Sequence, residues 1–222
     1  MNRNKLLIIF LLLCSFGCSA QTLLLIDSGE PGNEWPSLFV GGYGQPGHIS
    51  QVLAGRFVLD GQYDIQSMQG YLAVNLQGLV QISILVDVNG RPGRTLLSKT
   101  FMSETDQYPY FYGWQGTSGF AGRLNGGAYW IAFSAAPDSP FQGGMGRADL
   151  NAPVMQSEAS MVNMGGELGW SNWTVIPLDL GAATGLGIYA RIYGDPVPLP
   201  AALWLLAAGS VSLLGTRRRR VG

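Results

Sequence analysis

One histidine, two cysteines and fourteen carboxylates bound the chemistry open to this 222-residue chain. His48 closes the segment Gly41-Gly-Tyr-Gly-Gln-Pro-Gly-His48. A zinc site built on it would need carboxylates for nearly all its other ligands, and a Ser-His-Asp triad could use only this imidazole. No Gly-x-Ser-x-Gly elbow occurs, so His48 reads as a polar loop residue. The glycine-rich pieces Gly41-Gly-Tyr-Gly44 and Gly143-Gly-Met-Gly146 are followed by neither Lys-Ser/Thr nor a helical pattern. A phosphate cradle needs backbone amides at a helix N-terminus, so both read as turns.

The carboxylates permit two further chemistries. Asp87-Val-Asn89-Gly90 has oxygen ligands at alternate positions, but the remaining ligands and the terminal Glu of a calcium loop are missing, and a tight turn is the better reading. A glycosidase needs only two Asp or Glu across a cleft. However, Asp60, Asp64, Glu104, Asp106 and Asp138 all lie in turn-like contexts, where short acidic side chains cap backbone groups. The expectation is a chain with no catalytic residue, no metal site and no cofactor, with a carboxylate-dependent glycan hydrolase as the enzymatic alternative.

Aromatic residues offer binding chemistry. Tyr108-Pro-Tyr110-Phe-Tyr112-Gly-Trp114 and Gly169-Trp170-Ser-Asn-Trp173 concentrate rings that would stack on sugar faces if exposed. In an all-β domain most such rings fill the core. Tyr112, Trp114, Trp170 and Trp173 are the candidate stacking residues, with Trp114 expected on a loop because Gly113 and Gly116 flank it.

The elements that position these residues follow from composition and pattern. Charged residues are 12% of the chain, aromatics 11%, and there are 32 glycines, which suits a loop-rich β domain better than a disordered or coiled-coil chain. Apolar runs separated by turn signals lie at 23–26, 51–59, 65–75, 79–88, 95–101, 110–114, 128–134, 169–177 and 186–193. Nine such runs without a helical period predict an all-β, single antiparallel β-sandwich or jelly-roll-like domain. The clearest unit is 79–97, where Val80, Ile82, Ile84 and Val86 alternate with Gln81, Ser83 and Leu85 before Asn89-Gly90 and Pro92-Gly93 mark a turn.

Charge is unevenly placed. Arg3, Lys5 and Arg217, Arg218, Arg219 and Arg220 hold six of the 13 basic residues, leaving seven against fourteen acidic ones between 21 and 196, a net of −7. That excludes a phosphate-neutralising face and hence nucleic acid as a partner. Both cysteines, Cys14 and Cys18, lie in the first twenty residues, so the stretch after them has no disulfide framework.

The two flanks read as addresses. Residues 1–20 run from Arg3 and Lys5 through an apolar run, Leu6 to Leu13, to the small residues Cys18, Ser19 and Ala20. This is the layout of a secretory signal peptide cleaved between Ala20 and Gln21. Lipid attachment at Cys18 is the alternative; Gly17 suits it, but Ser15 stands where such sites usually carry Leu. Residues 201–214 are apolar and end before the four arginines. As a helix they span about 21 Å, short of the roughly 30 Å hydrocarbon core, so insertion as a single transmembrane helix is marginal. The arginines belong on the cytoplasmic side, which places residues 21–196 outside.

The tail resembles the PEP-CTERM class of bacterial sorting signals in its Val-Pro-Leu-Pro-Ala variant, matched by Val197, Pro198, Leu199, Pro200 and Ala201, then the apolar run and the basic end. Leu199 stands where the Pro-Glu-Pro form carries Glu. The resemblance implies processing near the motif by a membrane-embedded exosortase, a single-pass inner-membrane intermediate, and a final place at the cell surface or in the extracellular biofilm matrix of a Gram-negative bacterium. Residues 53–59, 82–97, 126–133 and 186–192 are similar to the exported domain that often accompanies such tails. That likeness implies a jelly-roll-like sandwich with no catalytic residues to carry over. The domains expected are thus 1–20, 21–196 and 197–222, and the function that of an exported surface or matrix protein. A carbohydrate-binding module for exopolysaccharide is the alternative.

Overall fold

The computed structural model describes residues 21–29, 38–41, 50–104, 111–145, 147–148, 157–163, 172–177 and 187–198. Among the described residues every regular element is a strand and none is a helix. The first eight strands are β1 (Leu23–Asp27), β2 (Leu38–Gly41), β3 (Ser50–Leu59), β4 (Tyr63–Leu76), β5 (Leu79–Val88), β6 (Arg91–Met102), β7 (Phe111–Leu124) and β8 (Gly127–Ala135). Six shorter ones follow: β9 (Gln142–Met145), β10 (Arg147–Ala148), β11 (Ser157–Asn163), β12 (Thr174–Pro177), β13 (Gly187–Ile188) and β14 (Ala190–Pro196). Strand occurs in each of the nine expected runs.

All pairings are antiparallel. The main path runs β1-β14-β4-β9-β2-β3-β8-β5-β6, with β7 on the far side of β4 and the β11–β12 pair beside β3. β4 turns the path, because it pairs with β14 over its first half and with β9 over its second. Its other edge holds β7 from Tyr63↔Leu124 to Val74↔Phe111.

The curled sheet closes over one core. Leu53, Phe57, Ile82, Ile84, Ile131 and Phe133 from β3, β5 and β8 meet Ile65, Met68, Leu72, Phe120 and Ile192 from β4, β7 and β14 in a single cluster. At Gly70 the two layers touch so closely that a Cβ would stand 2.6 Å from the Phe133 ring. Each fully buried Phe contributes about 3 to 5 kcal/mol, measured as its loss on truncation. β8 is apolar on both faces. Ile131 and Phe133 point into this core, while Trp130 and Ala132 join Ala54, Leu85 and Ala159 in a second cluster on the opposite face, with Trp173 and Val175 packed against it.

The β5–β6 hairpin turns at Asn89 (φ 53°) and Gly90 (φ 77°), with Val88 opposite Arg91. This two-residue loop with both central residues at positive φ matches the twist of its strands. It is the expected turn. Pro92-Gly93, expected in the turn, instead belongs to β6. β6 has no strand on its outer side in the path, so the missing Pro amide leaves no ladder bond unmade.

Asp87 ties this hairpin to the second cluster. Its Oδ1 accepts from Arg56 Nε at 2.8 Å and Trp130 Nε1 at 2.7 Å, and its Oδ2 accepts from the Gly90 amide at 3.1 Å. Burial pushes the Asp87 carboxyl up, but these three donors outweigh it and hold it below the ordinary carboxylate range. A carboxyl lowered in the folded state adds stability that is full above its unfolded pKa and fades as pH falls through its folded one. Asp87→Ala leaves the buried Trp130 N–H without its acceptor and should cost about 1 to 3 kcal/mol. Thermal melts between about pH 5 and pH 2 should show the native chain losing stability more steeply than Asp87→Asn; equal slopes would remove Asp87 from the acid response.

Candidate functional site

Three reciprocal side-chain clamps fix strand ends. The Ser28 hydroxyl accepts from the Ala190 amide at 2.6 Å and donates to the Ala190 carbonyl at 3.1 Å. The Ser103 hydroxyl does the same with Gly78, both at 3.0 Å. The Gln115 amide accepts from the Glu104 N–H at 2.9 Å and donates to the Glu104 carbonyl at 3.2 Å. Each is a buried or partly buried polar group given both a donor and an acceptor role, which avoids the penalty of an unpaired one.

Alternation along β14, β4 and β7 places Ala190, Gly70 and Leu72 toward the core. The intervening residues, Tyr189, Arg191, Gln69, Tyr71, Tyr112, Trp114 and Gly116, therefore face outward. Register brings these residues of three distant segments together. Tyr71 lies directly opposite Trp114, and their rings meet edge to face at 5.7 Å and 77°. Tyr71 meets Tyr189 at 6.4 Å and 68°. The Arg191 guanidinium lies 4.0 Å from the Trp114 ring centroid and its Nε donates to Asp27 Oδ1 at 3.2 Å. Arg191 is opposite Gln69, and Gln69 is opposite Gly116. A side chain at Gly116 would overlap the Met68 carbonyl of the neighbouring strand. The glycine therefore permits the close β4–β7 approach beside the ring cluster.

This face has graded exposure. Tyr112 is 37% exposed, Tyr71 and Trp114 are half-buried, and Tyr189 is buried. One face of the Trp114 indole carries the Arg191 cation, worth about 0.5 to 2 kcal/mol. Trp114 was expected on a loop and lies instead within β7, where the nearby Gly116 serves strand packing rather than a turn. Trp173 is half-buried against the second cluster, on a different part of the sheet, so it does not join Trp114 and Tyr112. Trp170, Tyr108 and Tyr110 lie outside the described residues, as do His48 and Asp106.

Gly143 and Gly144, expected in a turn, form β9, where a Cβ on Gly143 would collide with the Ala73 carbonyl. Gly41 likewise ends a strand, β2. Asp64, expected in a turn, is in β4 and takes two hydrogen bonds from Arg123, at 2.7 and 2.8 Å, which hold its carboxyl below the ordinary range. Asp60 accepts from the Tyr63 hydroxyl at 2.7 Å and so raises that phenol. Asp138 sits at a turn with φ 59°. Among the described residues no group of three His, Cys, Asp or Glu side chains converges as a metal site would require. Of the tail and leader, Gln21 is exposed and Val197 and Pro198 follow directly on β14. Ala20, Leu199, Pro200, Ala201 and Arg217 to Arg220 lie outside the described residues. No family model, curated protein or solved structure matches the chain.

Two substitutions separate packing from surface roles here. Gly116→Ala should destabilise by about 1 to 3 kcal/mol through overpacking, and Tyr112→Ala by less, because its ring is already 37% exposed. Denaturant melts of both variants check the order; a silent Gly116→Ala would place the β4–β7 approach elsewhere.

Proposed function

We propose that the chain is an exported cell-surface or matrix protein, processed at its C-terminal motif, whose folded middle is not an enzyme. The observation that carries this reading is the order of parts after the last strand. β14 ends at Pro196, and Val197-Pro-Leu-Pro-Ala201 begins at once, followed by the rest of the apolar run to Leu214 and then the arginine cluster. A domain whose last described strand ends where the motif starts is what a tail-processing enzyme would release intact. The leader and tail then give one topology, with both basic ends cytoplasmic and the domain outside. An exosortase-type enzyme is the partner this requires, and the membrane is engaged through 201–214.

The domain itself is read as jelly-roll-like. Support comes from connections that alternate between layers, since β3, β5 and β8 lie on one side of the core and β4 and β7 on the other. Support for a non-catalytic middle comes from Asp27, Asp64 and Asp87, each ion-paired with an arginine. Replacing Pro198, Leu199 and Pro200 together by Ala should leave a tagged chain uncut and membrane-held in a host with the processing enzyme. A variant released like the native protein refutes the sorting reading.

The Tyr71, Tyr112, Trp114 and Arg191 face favours a second reading in which the exported domain binds polysaccharide by ring stacking. The net −7 of residues 21–196 disfavours polyanions, so a neutral glycan is the expected ligand. Tyr112→Ala should weaken retention on a neutral glycan array while the domain still melts as a folded unit. Unaltered retention, or none by the native domain, would return these rings to packing.

A further inference from the structure

The rings of the outward face form a corner and not a platform. Tyr71 on β4 and Trp114 on β7 are direct cross-strand neighbours, yet their planes stand at 77° with centroids 5.7 Å apart. On the other side of Tyr71, Tyr189 is tilted by 68° and buried, so it backs Tyr71 and meets no solvent. Tyr112, 37% exposed, stands two residues along β7 from Trp114 and on the same side of the strand. Two contacts hold the corner at its angle. Edge-to-face is an arrangement that ring quadrupoles favour. Arg191 reaches from β14, two strands away from β7, to place its guanidinium 4.0 Å from the indole centroid, while its Nε donates to Asp27 Oδ1 at 3.2 Å.

That angle decides which sugar chain fits. Stacking lays the apolar face of a sugar flat on an aromatic ring. A cellulose-type or chitin-type chain is a flat ribbon whose successive units share one plane, so it gains from successive aromatic rings that are coplanar. Tyr71 and Trp114, at 77°, cannot both lie flat under such a ribbon. A chain that turns between units, as laminarin-type and amylose-type glucans do, presents consecutive sugar faces at a steep angle and can meet both rings. Gln69, opposite Arg191 in the next row of the same face, adds an amide that can both donate to and accept from hydroxyls. Resting on the glycan-binding reading proposed above, we infer that the Tyr71–Trp114 corner selects coiled neutral glycans over flat ribbons. Arg191 serves this selection as a positioning residue, because it acts on the sugar chain by fixing the tilt of the indole.

The test is isothermal titration of the full chain, purified in a sugar-free detergent, with laminarihexaose, maltohexaose, cellohexaose and chitohexaose. One of the first two should bind about tenfold more tightly than either of the last two, the difference that one added ring contact supplies. Tyr71→Leu keeps an apolar side chain on β4 but removes one wall of the corner, and should abolish the preference. Arg191→Gln releases the indole from its cation and should narrow the same ratio of affinities, a readout that a purely structural role would not move. Thr100→Ala, exposed on β6 and away from the rings, should leave the ratio as it is. Cellohexaose or chitohexaose bound as tightly as the coiled hexaoses overturns the inference and leaves the glycan reading standing. A preference that persists unchanged in both Tyr71→Leu and Arg191→Gln overturns it equally, since the selection would then lie elsewhere on the domain. Absence of binding to all four hexaoses removes the glycan reading, and this inference with it.

Discussion

β4 carries ladder hydrogen bonds to three strands along its fourteen residues, and the rest of the fold is arranged by how those bonds are shared. On one edge β7 takes Tyr63 to Val74. The other edge is divided between β14, up to Gly70, and β9, from Leu72 onward. Because every backbone N–H and C=O on a buried strand needs a partner, the division has to be nearly seamless. The Tyr71 amide, at the junction, donates to the Tyr189 carbonyl at 3.1 Å. The bulges at Ile65/Ser67 and Val74/Leu76 let one strand bend from one set of partners to the next. Through β9 and β2 the sheet then returns over its own face to β3, and this return is what encloses the core.

Closure on the open side is made by side chains. β6 and β7 are not ladder partners, yet Lys99 Nζ reaches the Ser118 and Gly119 carbonyls and lies 5.8 Å from the Phe120 ring. Leu97 fills the space over Gly122, where a Cβ would collide with it. Gln115 extends the contact by bonding both backbone groups of Glu104. A chain with 12% charged residues thus uses several of them as inter-strand ties: Arg56–Asp87, Arg123–Asp64, Arg191–Asp27 and Lys99 to backbone. The Arg123–Asp64 pair is solvent-exposed and worth little alone, whereas Asp87 serves a buried indole and a turn amide together.

The sequence was most legible where local chemistry and tertiary demand coincide. The run Leu79–Val88 and its Asn89-Gly90 turn announce themselves by alternation and by positive-φ residues, and both stand in the structure as read. β7 was legible only to Trp114. Gly113, Gly116, Gly119 and Gly122 look like breakers in isolation, yet Gly116 and Gly122 are glycine because a neighbouring carbonyl and a leucine leave no room for a Cβ. The same misreading hid β9, whose Gly143 abuts Ala73. The ring cluster was half visible. Tyr112 and Trp114 stood out, but Tyr71 and Arg191 could not be joined to them from spacing, since 71, 114 and 191 meet only through the register of β14, β4 and β7.

The ring face and the paired chain ends lie well apart along the same strands. Tyr71 stands eight residues along β4 from Tyr63, and Trp114 ten residues along β7 from Leu124, so the ring face is about 25 Å from the corner where Gln21 and Pro198 leave the sheet. The same separation decouples the two roles physically. Asp195 and its hydrogen bonds fix where the chain exits, whereas Arg191 and Asp27 fix the indole, and the two sets share only the backbone of β1, β14 and β4. Changes that loosen the corner would therefore reach the ring face only through strand register. Register in this layer is set by which face of each strand is buried, since a one-residue slip of β14 would expose Ala190 and Ile192 and bury Arg191.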